Sequence, residues 1–349
     1  MDPIVLNGSH GEGGGALLRT AVATSAFTQQ PLRLHNVRGA LRKEGLTSED
    51  ITVVEMMADS CRAEVEGVGI GSQELIFRPK QTPVPIQARY DIHAHEKGTV
   101  PGNALIVLST VTPVLARAGG YSEVAVLGET HNEHTVGYDA FERVQISALR
   151  RFGLYAFPSL VTPGFGFGAQ GEVRMEVEPS ALIGADMSKR GDLVSIHAVV
   201  TTGDLPARTG EKIERRVLEL ADEKEMDIEV EYVPLASRSK GASVTVWAEF
   251  EGGIGSGNAS LERGKTPERV ADVAFERFLD WFETDATVDA FLADQLLMTA
   301  AFAEGRTVYT TPAVTRRLTT MAWVIKQFVP IHITILGREG EPGTVTIER

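Results

Sequence analysis

The chain has 349 residues, 43% of them apolar, and sets 34 Lys and Arg against 47 Asp and Glu for a formal net charge of −13. That length supports a sizeable core and two domains, or one large domain with an insertion, while the acidic balance excludes a surface that coats nucleic acid generally. Any RNA contact must be a local basic island. A single cysteine, Cys61, excludes internal disulfides and a multi-cysteine zinc site, and its place in an amphipathic stretch reads as a small core residue. Apolar runs such as Ala104-Leu105-Ile106-Val107-Leu108 are far shorter than a membrane span, and the sequence reads as cytoplasmic.

In chain order, the first informative segment is a glycine loop, Gly11-Glu12-Gly13-Gly14-Gly15, running into Ala16-Leu17-Leu18-Arg19 and a helix through Phe27. Glycine lets backbone approach a ligand closely, and the first N–H groups of a helix have no intrahelical partner, so the pair forms an anion cradle. A tight turn that only packs the helix is the alternative. The segment lacks the Gly-Lys-Ser/Thr ending of a Walker loop. It matches Gly-x-Gly-x-x-Ala, but the strand expected at 32–37 ends without the acidic residue of a dinucleotide fold. Arg38, Arg42 and Lys43 come next as a basic island, or as a solvated charged loop.

Beyond it the pattern predicts a helix at 48–64 and a strand at 74–79. The order then repeats: strand 89–94, a loop over 97–102, a helix through residue 118, strand 122–127, helix 139–152 and strand 172–177. A unit of about 85 residues built from short strands and paired helices points to an α+β fold of stacked modules. Composition shifts between Pro179 and Arg190. The next stretch of chain reads as a compact α/β unit with strands at 193–201, 227–234 and 243–251, a helix at 208–226, and another from Pro267 with Thr266 as N-cap. The expected organisation is a large domain over 1–184 and 277–349 with a small α/β domain inserted at 185–276, and a third module from 289.

Several of these segments carry a resemblance. They are Gly8-Ser9-His10 through the glycine loop to Arg19-Thr20, Asn36-Val37-Arg38 to Arg42-Lys43-Glu44-Gly45-Leu46, and Ala63-Glu64-Val65-Glu66-Gly67 with Gly71-Ser72-Gln73-Glu74-Leu75. Gly128-Glu129-Thr130-His131-Asn132 and Phe291-Leu292-Ala293-Asp294-Gln295-Leu296 complete the set. In this order they resemble the RNA 3′-terminal phosphate cyclase family over nearly the whole chain. The resemblance implies three repeated units of two helices and a four-stranded sheet, with the smaller domain inserted before the third. It also implies a ligase-class, ATP-dependent reaction: a histidine takes AMP from ATP and passes it to an RNA 3′-phosphate, and the neighbouring 2′-hydroxyl displaces AMP to leave a 2′,3′-cyclic phosphate. Such chemistry needs a nucleophile, a metal such as Mg or Mn, and donors around the phosphates.

The same resemblance assigns roles. Glu12 would meet a metal or a metal-bound phosphate; Gly13, Gly14, Arg19, Arg38, Arg42 and Lys43 would bind phosphate. Phe291, Leu292, Ala293, Asp294 and Gln295 match the nucleotide-binding stretch, with core packing at a helix start the alternative for the first two. The expected partner is an RNA 3′ end, with neither DNA nor membrane.

Departures from the family pattern gather at nucleotide-facing positions. Counting back from Pro330 puts Arg317 at the nucleophilic histidine, counting forward from Pro312 puts Thr315 there, and no register supplies a histidine. Arginine stays protonated and cannot act as that nucleophile. Ser109 replaces a glutamine, Leu41 an arginine and Met321 an asparagine, and Gly164–Gly171 keeps only part of a glycine-rich pattern. Of the eight histidines, His10, His131 and His134 fall nearest the expected cleft. His93-x-His95 on a strand face and His131-x-x-His134 on a helix face have tolerable metal spacing but lack a third ligand. A non-catalytic RNA-binding or RNA-processing assembly protein that retains the cyclase fold is the alternative function, and a dinucleotide-dependent enzyme a third.

Overall fold

The computed structural model describes residues 2–95, 100–132, 135–261 and 264–349. The first module runs β1 (Ile4–Asn7), α1 (Gly15–Thr28), β2 (Leu32–His35), α2 (Ser48–Cys61), β3 (Glu64–Glu66) and β4 (Glu74–Arg78). The second runs β5 (Gln87–Asp91), α3 (Ala104–Leu115), β6 (Ser122–Gly128), α4 (residues 138–150, with a π-helical turn over Phe141–Ile146), β7 (Ala156–Thr162) and β8 (Gly171–Val177). Then come β9 (Asp186–Met187), β10 (Leu193–Gly203), α5 (Ala207–Glu223), β11 (Glu229–Leu235), β12 (Gly241–Phe250), β13 (Gly253–Ser260) and α6 (Pro267–Phe282). The chain continues with α7 (Ala290–Phe302), β14 (Arg306–Thr311), α8 (Arg316–Phe328), β15 (His332–Leu336) and β16 (Gly343–Glu348).

The sheets establish the internal repeat. Their orders are β1-β2-β4-β3, β5-β6-β8-β7 and β9-β14-β16-β15, in each case a parallel first pair followed by two antiparallel pairings. Each of these modules therefore places its two helices after its first and second strands, and the helices of all three pack on one shared core. Leu17, Leu32, Phe77, Val107, Phe141, Leu296, Phe302 and Ile325 are buried in it. Each such side chain contributes about 1.5–3 kcal/mol on leaving water.

The α+β class and the modular repeat match the expectation, whereas the insertion lies elsewhere in its module. The third sheet takes β9 as its first strand, so the extra domain interrupts that module between β9 and α7 and does not precede it. The expected edge at 276 falls inside α6, whose Phe275, Phe278 and Trp281 belong to the separate core of the inserted sheet, β11-β10-β12-β13. An amphipathic helix goes with the sheet that covers its apolar stripe, and that moves the boundary past residue 282. Thr266 sits at the N-cap of α6 without a side-chain bond, and Pro267 opens the helix instead.

Local chemistry fixes the helix starts. Thr47 and Asp50 form a reciprocal capping box on α2; Asn103 accepts from Leu105 N and Ile106 N on α3, Asp289 from Leu292 N on α7, and Thr315 from Leu318 N on α8. Gly14 at the head of α1 offers no side-chain cap. Of the strands, β1 and β3 escape the sequence reading because they are only four and three residues long, β7 and β13 because their polar and apolar residues do not alternate clearly. His93 and His95 lie on a 3₁₀ turn, Ile92–His95, and not on a strand. Among the described residues no helix is long and apolar enough to cross a membrane.

Candidate functional site

A cavity of about 130 Å³ opens where helices of all three modules meet. Ala16, Arg19 and Thr20 enter it from α1, Glu49 from α2, Ser109 from α3, Phe291, Gln295 and Met298 from α7, and Arg317 and Met321 from α8. The α7 set follows i, i+4, i+7 spacing, so one face of the helix looks into the cavity while Leu292, Ala293 and Leu296 face the core. Leu292 and Ala293, at 2% and 0% exposure, are corrected from nucleotide contacts to packing residues.

The two guanidiniums differ in how far they are already engaged. Arg19 Nη1 donates to Glu49 Oε1 at 2.7 Å and to Asp50 Oδ1 at 3.0 Å, while Glu49 Oε2 accepts the Asn103 N–H of the second module at 3.0 Å. Arg317, 42% exposed at its side chain, stands 3.7 Å from Asp294 Oδ2. It lines the cavity with its side chain partly open to solvent. Ser109 exchanges hydrogen bonds with Gln145 at 3.0 and 3.3 Å.

Asp294 lies beneath this wall. It accepts the Thr315 hydroxyl at 2.6 Å, and burial pushes its carboxyl up to about 7 against the opposing pull of Thr315 and Arg317. Thr315 is thereby committed twice, as acceptor for Leu318 N and donor to Asp294.

The glycine loop stands beside the cavity without lining it. Gly11 and Gly13 have φ of 60° and 59°, and a Cβ at either would collide, with Thr320 Oγ1 and with Ala40 respectively. Close packing of the loop on α8 and on the 38–43 turn therefore accounts for two of its glycines. Glu12 makes no ion pair among the described residues, and its carboxylate meets only Leu17 N, at 3.4 Å. Arg38 donates to Asp50 Oδ2 at 2.8 Å. Burial opposes the charge on both partners, yet the pairing wins: the Arg38 pKa is raised and the Asp50 pKa lowered. Arg42 and Lys43 are exposed on the following turn, outside the cavity. The basic island of the sequence thus divides into one internally paired arginine, Arg38, and two solvated cations, Arg42 and Lys43.

No group of three His, Cys, Asp or Glu able to hold a metal occurs among the described residues. The donor set fits the other mode of binding a hard divalent ion, in which one carboxylate, here Glu12, joins substrate phosphates and water. None of the described histidines lines the cavity. His10 stacks on Trp323 with ring centroids 3.8 Å apart, His131 is fully buried against Phe165 at 4.5 Å, and His134 lies outside the described residues. Glu49, Thr135 and Met298 were not anticipated; Met298 continues the Phe291 and Gln295 spacing, whereas Glu49 and Thr135 come together only in three dimensions.

Three repeated units enclosing a polar cavity, with a fourth sheet inserted in the last, define a modular α+β protein with its site at the junction of its repeats. The chain belongs to the RNA 3′-terminal phosphate cyclase family, whose model matches residues 10–335. An RNA 3′-terminal phosphate cyclase of Methylococcus capsulatus is 32% identical over 352 residues, covering 99% of this chain and 97% of that protein. One from Methanopyrus kandleri is 32% identical with 99% of each covered, and one from Archaeoglobus fulgidus 33% identical with 93% and 95% covered.

Proposed function

We propose that this chain acts, in the cytoplasm, on RNA 3′ ends as an ATP-dependent 3′-terminal phosphate cyclase whose adenylyl acceptor is not residue 317. The observation that carries the reading is the cavity itself, which Arg19 and Arg317 line together with Phe291 and Gln295. Two cations beside an aromatic face suit a phosphate attached to a base. In the overall reaction ATP loses pyrophosphate, AMP is carried to the RNA 3′-phosphate, and the 2′-oxygen bonds to that phosphorus as AMP leaves.

Each residue has a definable part. Arg317 would contact the transferred phosphate, being the less engaged guanidinium, while Arg19 is held in place by Glu49 and Asp50. Gln295 supplies a neutral donor and acceptor. Glu12 would hold Mg or Mn together with the phosphates; the metal, when bound, neutralises charge on the polyphosphate. The open start of α1 adds unpaired N–H groups beside it.

A second reading, RNA-end binding without turnover, is favoured by one observation: the segment 315–330, where the family pattern has its histidine, contains none, and none of the described histidines lines the cavity. The test is a 5′-labelled oligoribonucleotide bearing a 3′-phosphate, incubated with ATP and Mg or Mn. Conversion of the phosphate to a phosphatase-resistant form with release of AMP supports the cyclase. Retention of the oligonucleotide, recovered unchanged, supports the second reading; equal binding of 3′-phosphate and 3′-hydroxyl ends overturns both.

A further inference from the structure

The segment that supplies Thr135 to the cavity also borders a second opening. His131 and Asn132 line a cavity of about 660 Å³ between the second module and the inserted domain, together with Phe165 and Phe167 of the former and Lys240 and Lys265 of the latter. Four residues span at most about 14 Å of chain, so the two openings are a few nucleotides apart.

Its walls differ in a way that favours one kind of occupant. Phe165 is fixed, stacked on His131 at 4.5 Å and pressed against Gly203 and Gly241, while Phe167, two residues on, is 71% exposed. That is the highest exposure of any large apolar side chain among the described residues. Lys240 and Lys265 line the same cavity from the inserted domain, and among the described residues neither pairs with a carboxylate. In a chain of net charge −13, two uncompensated cations opposite a bare aromatic ring suit a stacked base and its phosphate. A larger cavity, about 730 Å³, sits between the same two domains, but its four carboxylates, Glu142, Glu229, Glu231 and Glu249, outnumber its two guanidiniums, Arg143 and Arg150, and suit a polyanion less well.

We infer that the cavity between Phe167 and the Lys240–Lys265 pair is the track for single-stranded RNA upstream of the 3′ end, stacking a base on Phe167 and seating its phosphates on the two lysines. This rests on the proposed function, since it takes the 3′ end to lie in the cavity of Arg19 and Arg317. The bases are read by their faces, so the track accepts any sequence but requires a strand unpaired for several nucleotides.

The experiment measures binding of 3′-phosphorylated oligoadenylates of two and ten nucleotides to the full chain and to the variants Phe167→Ala and Lys240→Ala/Lys265→Ala. The expected result is tighter binding of the ten-mer by the unaltered protein. Phe167→Ala should weaken the ten-mer at least about fivefold and leave the dinucleotide unchanged. The double lysine variant should lower the slope of log affinity against log salt by about 1.4 for the ten-mer, as two phosphate contacts on a single strand require. Ten-mer binding and salt slope unchanged in both variants overturn the track while leaving the proposed function intact. Failure of the proposed function is seen separately, as equal binding of 3′-phosphate and 3′-hydroxyl dinucleotides.

Discussion

The backbone N–H of Glu12 donates to Thr320 Oγ1 at 2.9 Å, joining the glycine loop to α8 across 308 residues of sequence. Thr320 is itself anchored, its hydroxyl donating to Arg316 O at 2.7 Å. The loop is thus positioned by the helix that carries Arg317 and Met321. Thr320→Val keeps the shape and removes the acceptor, so the Glu12 N–H loses its partner. The expected cost is about 1–3 kcal/mol in urea denaturation, together with weaker ATP binding by calorimetry, and Thr320→Ser should restore both. Unchanged ATP affinity in the valine variant would separate the loop from nucleotide binding.

Asp50 is fully buried and holds both Arg19 and Arg38. Asp50→Ala leaves Arg38 without its carboxylate partner and Arg19 with Glu49 alone, and should destabilise the protein by about 3–5 kcal/mol. The pH dependence has a definite sign. Because the folded carboxyl ionises below its ordinary value, its stabilisation is complete above about pH 4 and is lost as pH falls through the lower folded value. Acid unfolding of Asp50→Asn, followed by circular dichroism, should lack that component.

Asp294 has the opposite sign. Its pKa rises from the ordinary carboxylate range to about 7 on folding, so the unfolded state holds fewer protons between roughly pH 4 and 7. Stability falls across that window and the loss is complete above it. Asp294→Asn, which keeps an oxygen acceptor for Thr315, should flatten the decline, and denaturation at pH 4.5 and 8 of both proteins checks it. A difference between the two pH values that is the same in both proteins would mean Asp294 is ionised throughout.

Arg317→Ala should weaken a 3′-phosphorylated oligonucleotide by roughly tenfold or more, the worth of one charged hydrogen bond, and leave the 3′-hydroxyl form little affected. Arg317→His places an imidazole on the same cavity wall. Incubated with labelled ATP and Mg or Mn, it should gain an acid-labile adenylate that the unaltered protein does not form at this position. An adduct mapped to residue 317 in the unaltered protein would contradict the chemistry of arginine.

Much of the fold was legible because its signals are local. The apolar spacing of α2 and α6 and the alternation along β6 and β8 are consequences of which faces are covered. The edge strands β1 and β3 carry weaker patterns, since an edge buries less of its surface. The insertion point was misplaced because β9 has two residues, too few for any periodic signal, and is defined only by its pairing with Val308 and Tyr309. In the site, Arg19, Phe291, Gln295 and Arg317 came from motif spacing and do line one cavity. Leu292 and Ala293 belong to the same motif but turn to the core, because neighbouring residues on a helix point in different directions.

By itself the sequence determined the class of fold, the order of most of its elements, several of the residue types that line the cavity between the modules and the absence of a histidine from the segment 315–330. These depend on composition and spacing along the chain. Tertiary structure alone decided which cations remain available: Arg19 and Arg38 are drawn into Asp50, Arg42 and Lys43 go to solvent, and Arg317 is left facing the cavity. A charge acts over a few ångströms through whatever lies beside it, and that neighbour is set by helices brought together from distant parts of the chain.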